Sequence, residues 1–528
     1  MAPGFSFEPC IQSYALGRDG GVVWDSCDRW DSSATGLAPR FVRPLRFERR
    51  CMNNVENVGG ASLMKPSRCR SKLHDGDSLN ERQKALAYLT LLAALILEIV
   101  DVTIVNTALP VIERDFGAAA AQVQWVAVGY SLAFSLLLML GGRLGDAFGY
   151  NRLFIGGVAG FTFASMLCGL SGSPDQLIAA RVLQGGAGAM MAPQVMALIQ
   201  VLFAPLERVA KLAWVGVIGG LAAMSGPIIG GLLIHANPFD LGWRSVFFIN
   251  VPIGVVAVIV AWRLLPAARS PVVQGIDGKG TTLFAASIAA LLYPLVRGHD
   301  LGWQSWHFML LFAAPILLAL VCWRTRRRAK VGASTLYAPE LFRQRQFSLG
   351  LAIALAFGAA IGGFLFVFAF AAQKLLGFSP LQTGLLHLPF SVGVMLGIAF
   401  LGPRLVTRRG KWVLVGGITL MALFAGGTLA WIETGISFWW ALPCLALAGT
   451  GMGMTSGPLT PVILARVDRN HAGAASGVIK TVQELGMALG IALVGTSFFA
   501  GASAGRAGAV APAIAGNRPV EAACLAVM

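Results

Sequence analysis

Asp101 lies in VDVTIVNTALP (100–110), a carboxylate inside a run otherwise apolar enough to cross a membrane. Ionisable groups at membrane depth are costly and mark function by default. Glu98 precedes it by three residues, so a helix places both acids on adjoining parts of one face. The chemistry open to such a pair is proton exchange. A carboxylate taken out of water holds its proton more tightly, and a nearby cation releases it. Arg181, in RVLQGGAGAMMAP (181–193), is a third charge several residues inside an apolar run. Its guanidinium stays charged at any usable pH, so it needs an acid, a chain of hydrogen bonds or a route back to the headgroups.

Spanning helices must position these residues. The chain has 528 residues, 56% hydrophobic and only 12% charged, where globular proteins carry roughly a quarter charged. With a mean hydropathy of +0.69, it reads as an all-α polytopic membrane protein. Its 64 glycines suit helices that must approach closely in lipid, and the long unbroken apolar runs exclude a β-barrel. Net charge is +16, but the basic residues fall in short loops rather than one patch, which argues for topology and against nucleic acid. Cys168, Cys322 and Cys444 read as packing residues; Cys10, Cys27, Cys51 and Cys69 lack metal-ligand spacing.

Apolar runs give spans near 85–110, 122–142, 153–172, 176–202, 209–235 and 245–266, a block of six. A linker follows, then a pair near 281–297 and 306–323, a basic loop RTRRRAK (324–330), and spans near 347–373, 382–402, 411–432, 437–464 and 474–500. Thirteen spans result. With a cytoplasmic N-terminus, Arg143, Arg152, Arg208, Lys211, Arg263, the RTRRRAK cluster, Arg404, Arg408 and Arg409 all fall inside. The expected organisation is a disordered region or extension over 1–84, a six-helix bundle over 85–266, a linker with two inserted spans and a basic loop over 267–346, and a C-terminal bundle over 347–528. That last bundle reads as truncated, with its final span missing and its tail outside. RLGDAFGY (143–150) and RLVTRRGK (404–411) share Arg, Leu and Gly at matching places on the same side, as two parallel bundles would show.

The loop GRLGDAFGYNR (142–152) resembles the cytoplasmic loop signature of the major facilitator superfamily. In that pattern Gly142 and Gly149 permit tight turning and close helix approach, Asp146 supplies an anion and Arg152 closes the motif. Ala147 stands where the family has a basic residue. RVLQGGAGAMMAP is similar to the family's fourth-span motif, whose arginine is implicated in proton transfer. MSGPIIGG (224–231) resembles the motif that marks antiporters: Gly226, Gly230 and Gly231 form a small-residue face, and Pro227 kinks the helix. WRSVFFINVPIG (243–254), LGFSPLQTGLLHLP (376–389) and AGAASGVIKTVQELGMALG (472–490) extend the likeness over roughly 85–500, to the fourteen-span drug:proton antiporters.

Lys480 and Glu484, four apart on one helical face, read as a local salt bridge rather than a second proton site. His387 reads as a hydrogen-bonded packing residue, and Gln373 matches a polar position at which the family closes its seventh span. The resemblance implies two six-helix bundles rocking about a central cavity, and export of amphipathic, cationic or aromatic small molecules across the cytoplasmic membrane. Asp101, Glu98 and Arg181 would serve coupling, and the proton gradient would serve in place of a cofactor. The rivals are a proton symporter importing a solute, a defective transporter and a membrane-embedded lipid-modifying enzyme. For the enzyme, His299 and His307 have only Asp300 nearby. The chain has no GxxxxGK[ST] loop for direct ATP drive.

Overall fold

The computed structural model describes residues 79–508, apart from 270–274, 276, 299–300, 332, 334, 336, 338, 376, 435–440 and 468–471. The expectations for residues 1–78 and for the tail beyond 508 lie outside the described residues. Long helices follow one another: α1 (Glu81–Phe116), α2 (Ala120–Phe148), α3 (Tyr150–Leu170), α4 (Pro174–Leu202), α5 (Pro205–Ala236), α6 (Gly242–Leu264), α7 (Gly278–Arg297) and α8 (Ser305–Lys330). After them come α9 (Arg345–Lys374), α10 (Pro380–Arg409), α11 (Trp412–Thr434), α12 (Ala441–Leu464) and α13 (Ala472–Gly508). Among the described residues, 11 of these helices are long and apolar enough to cross a membrane. Each helix coincides with one sequence-derived span.

Starts and stops follow local chemistry. Asn80 caps α1 and exchanges hydrogen bonds with Gln83, and Gly117 ends it in the left-handed conformation. Ser173 and Ser379 accept from backbone N–H groups in the first turns of α4 and α10. A π turn over Gly397–Leu401 interrupts the regular hydrogen bonding of α10.

Helices α1 to α6 pack among themselves, chiefly α2 and α3 against α4 and α5 against α1. In the other half α9 packs on α13, and α12 on α10 and α11. The two groups meet along α5 with α10 and along α2 with α13. The inserted pair α7–α8 leans on this second seam through α7, where Thr496 Oγ1 of α13 donates to the Leu295 carbonyl at 3.0 Å. The helices run between two ends of the molecule: α1 starts at the first end and stops at the second.

Small residues set the α5 contacts. A Cβ on Gly226 would overlap the Thr103 hydroxyl of α1, and one on Gly230 would sit 2.9 Å from Ile104 Cγ1. Gly231 faces α10 instead, with a Cβ there only 2.5 Å from the Pro380 carbonyl, and Gly384 of α10 faces the Pro227 carbonyl at the same distance. The second end is also joined by Gln373 Nε2 donating to the Thr107 carbonyl at 2.9 Å and by Lys374 Nζ, 2.6 Å from Glu113 Oε1.

Candidate functional site: a charged centre between two helix groups

Asp101 is fully buried on α1 with both carboxylate oxygens engaged. Arg181 of α4 donates to Oδ2 through Nη1; Gln184 Nε2 and Asn250 Nδ2 donate to Oδ1 at 2.8 and 2.9 Å. Side chains from α1, α4 and α6 thus meet on one carboxylate. The same Nη1 reaches Gln184 Oε1 at 2.7 Å, and Arg181 Nε donates to the Val126 carbonyl of α2 at 3.3 Å. Asn250 is steadied by Ser165 Oγ at 3.0 Å, which itself donates to the Phe247 carbonyl. Charge-assisted bonds of this density hold a buried ion pair that would otherwise cost more in desolvation than it returns. The sequence brought out Asp101 and Arg181 but missed Gln184 and Asn250. Their signal was an amide side chain inside an apolar run, which must find partners.

Arg181 is not snorkelling. It is 1% exposed, and its guanidinium carbon lies 4.4 Å from the Tyr130 ring centroid. The Tyr130 ring stacks on Phe134 at 6.0 Å. A small cavity beside this ladder is walled by Val102, Asn106, Ser131 and Arg181 from one helix group and by Gly362 and Met487 from the other.

Glu98 shares the interior, 5% exposed, yet among the described residues it accepts no hydrogen bond and forms no ion pair. Lys480 and Glu484 of α13 lie within electrostatic reach of it. These two pair with each other as the sequence suggested, Nζ to Oε1 at 2.7 Å. His387 is buried, its Nδ1 3.2 Å from the Thr383 carbonyl and its ring 4.4 Å from that of Phe368.

The loop between α2 and α3 corrects one expectation. Gly149 has φ +102°, a conformation suited to glycine, but Gly142 is neither at a turn nor at a close approach. It lies inside α2, and a Cβ there would meet only Pro193 Cβ, at 3.9 Å. The intimate contacts fall instead at Gly141, against the Ala189 carbonyl, and at Gly145, against the Gln194 amide. Helical geometry turns those two positions toward α4 and Gly142 away from it. Asp146 accepts from the Tyr150 hydroxyl at 2.9 Å, and Arg152 is exposed. Arg143 also ties this end together, donating to the Gly275 and Thr335 carbonyls of the segments flanking α7 and α8.

Residues 91–285 and 278–491 match the family model described as Major Facilitator Superfamily. The chain belongs to that superfamily. It is an integral multi-pass membrane transporter and not an enzyme. It is similar to the probable actinorhodin transporter of Streptomyces coelicolor, 41% identical over 416 residues, 78% of this chain and 71% of that one. The puromycin resistance protein pur8 of Streptomyces alboniger is 34% identical over 412 residues, 77% and 80% of the two chains. Multidrug resistance protein Stp of Mycobacterium tuberculosis is 30% identical over 423 residues, 79% and 76%. Among solved structures, a bacterial homolog of the human lysosomal transporter Spinster, inward-facing and unoccupied, has the same fold. Its TM-score is 0.60 at 16% identity, over 85% of this chain and 95% of that one.

Proposed function

We propose that this transporter exports amphipathic small molecules of the antibiotic kind across the cytoplasmic membrane in exchange for protons. The observation that carries the reading is the placement of buried charge: Asp101 with Arg181, and Glu98 beside them, at the seam between two helix groups. The names of its relatives, antibiotic transporters and resistance proteins, support export of such molecules. The first end carries Arg143, Arg324, Arg328, Arg404 and Arg408, so the bias of basic loops toward the cytoplasm puts that end and the N-terminus inside. Residues 85–266 and 347–528 then form the two rocking bundles, with 267–346 carrying the inserted pair.

In this conformation the contacts at the second end seal the outer side. Asp101 is saturated by Arg181, Gln184 and Asn250 and offers no surface to a substrate. A substrate cation therefore reaches its charge only after Arg181 moves, and coupling through Asp101 runs by way of that arginine. The test is transport by the purified chain in vesicles with both pH values clamped. Uptake of an amphipathic aromatic probe against its gradient should follow an imposed proton gradient and vanish when that gradient is collapsed. Transport indifferent to the gradient would reject the coupling, and transport in the same direction as the protons would favour the symporter.

A further inference from the structure

Helix α8 buries less of its apolar stretch in the protein than any other candidate span among the described residues. Its open face runs through Phe312, Ile316 and Leu320, which are 75%, 67% and 43% exposed, to Trp323. Arg327 and Lys330 continue the same stripe and Arg326 flanks it, because residues three, four and seven apart share a helix face. All three are exposed. The Arg327 guanidinium carbon lies 4.2 Å from the Trp323 ring centroid, which holds that charge against an indole of the kind that sits at headgroup level. From Trp323 to Phe312 the helix covers about 16 Å, and half of the hydrocarbon core is about 15 Å. The stripe is one leaflet deep.

The other side of the same two turns is already neutralised. Arg324 and Arg328 turn to Asp277 at the start of α7. Arg326, Arg327 and Lys330 form no ion pair among the described residues. Residues 324–346 hold seven Arg and Lys and a single acid, Glu340, so the excess stays positive after Asp277 is counted. Orientation in a membrane depends on how many basic residues flank a span and is indifferent to the face they occupy. Here they share a face with the exposed apolar stripe. Such a stripe, ending in an aromatic ring and three unpaired cations, complements acyl chains beneath a negative phosphate.

We propose that the first end of α8 binds one anionic phospholipid of the adjoining leaflet. Its phosphate sits at Arg326, Arg327 and Lys330, and its chains lie along Leu320, Ile316 and Phe312. The site does not depend on the direction or the coupling of transport. The phosphate relieves the repulsion among three like charges at the end of one helix. Because Arg324 and Arg328 of the same turns hold Asp277, the lipid also steadies the join between α8 and α7.

The experiment uses the purified full chain in detergent with equal amounts of dioleoyl phosphatidylglycerol and dioleoyl phosphatidylcholine. Native mass spectrometry counts which lipid stays bound. Wild type should retain one phosphatidylglycerol in preference to phosphatidylcholine. Lys330→Gln should weaken its retention about fivefold, the order expected for one basic residue at an anionic surface. Arg326→Gln, Arg327→Gln and Lys330→Gln together should abolish the preference, whereas Arg326→Lys with Arg327→Lys should keep it. Arg404→Gln, Arg408→Gln and Arg409→Gln together, at the basic end of α10, should leave it intact, which separates this site from a general attraction to basic loops. Without lipid the α8 triple variant should unfold at the wild-type temperature, and phosphatidylglycerol should raise that temperature in wild type alone. Equal retention of both lipids by wild type, survival of the preference in the α8 triple variant or its loss in the α10 variant would each overturn the proposal. So would displacement of the lipid by inorganic phosphate, which would mark a site for soluble anions, or a lipid-free α8 triple variant of lowered stability, which would mean that these residues serve the fold.

Discussion

Lys374 Nζ lies 2.6 Å from Glu113 Oε1 and ties α9 to α1 across the two helix groups at the second end. Beside it, Gln373 of α9 holds the Thr107 carbonyl of α1. An alternating transporter must break both contacts to open on that side. The ion pair keeps 31% and 17% of its side-chain surfaces exposed, and a half-solvated pair of this kind is worth at most about 1 kcal/mol, roughly fivefold in an equilibrium. Replacing both charges (Lys374→Met with Glu113→Gln) should therefore raise opening up to about fivefold. The rate at which a membrane-impermeant maleimide labels Ser131→Cys from the second side reads this directly. An unchanged rate would mean that the pair does not restrain opening.

Asp101 and Arg181 should respond as a unit. Asp101→Asn leaves a guanidinium 1% exposed without its counter-charge, a loss of about 3–5 kcal/mol. Removing both charges, with Asp101→Asn and Arg181→Gln, should recover much of that stability in detergent and still give no proton-driven transport. Arg181→Lys should stay folded and turn over slowly, since a point charge cannot hold Asp101, Gln184 and the Val126 carbonyl together. Thermal unfolding set beside vesicle transport separates the two effects. A double variant no more stable than Asp101→Asn would show that the cost lies outside the pair.

The helices were legible because each span is a run of apolar residues of membrane length, a one-dimensional property. The partners were not, because pairing is three-dimensional. Asp101 and Asn250 are 149 positions apart and meet only through the packing of α6 on α1. Lys480 and Glu484 were readable because four residues on one helix already define their geometry. Their relation to Glu98 was hidden, since it joins opposite halves of the chain. The loop glycines failed by one register position: composition marks Gly141, Gly142 and Gly145 alike, and only the direction of α4 distinguishes them.

That register gives a sharp comparison. Gly142→Ala should alter stability by no more than about 0.5 kcal/mol, as at other positions with room. Gly141→Ala pushes into the Ala189 backbone, which cannot rotate away, and overpacking of this kind costs about 1–3 kcal/mol. On α5 the same logic separates two functions. Gly226→Leu strains packing inside the first helix group against Thr103, whereas Gly231→Leu wedges α5 from α10 at Pro380. The first should lower thermal stability, and the second should speed second-side labelling of Ser131→Cys. Equal behaviour of Gly141→Ala and Gly142→Ala would contradict this orientation of α2 against α4.

Asp277 gives a pH-dependent prediction outside the membrane spans. It caps α7 through the Gly280 N–H at 3.0 Å, and its carboxylate lies 3.0 Å from Arg324 Nη2 and 3.5 Å from Arg328 Nε of α8. Burial pushes the carboxyl up, but the bonds from Arg324 and Gly280 and the charge of Arg328 outweigh it and hold it below its ordinary value of 3.8. A carboxyl depressed on folding adds stability above its unfolded value and loses it as pH falls through the lower folded value. Asp277→Asn keeps a good helix cap and removes only the charge, so it should be less stable than wild type at pH 7. The gap should close as the solution is taken below about pH 4. Asp277→Ala also loses the cap and should stay about 1 kcal/mol worse than Asp277→Asn at both pH values. Thermal unfolding of the three proteins across that range measures the difference, and a gap that widened on acidification would mean that the arginines do not stabilise the ionised form.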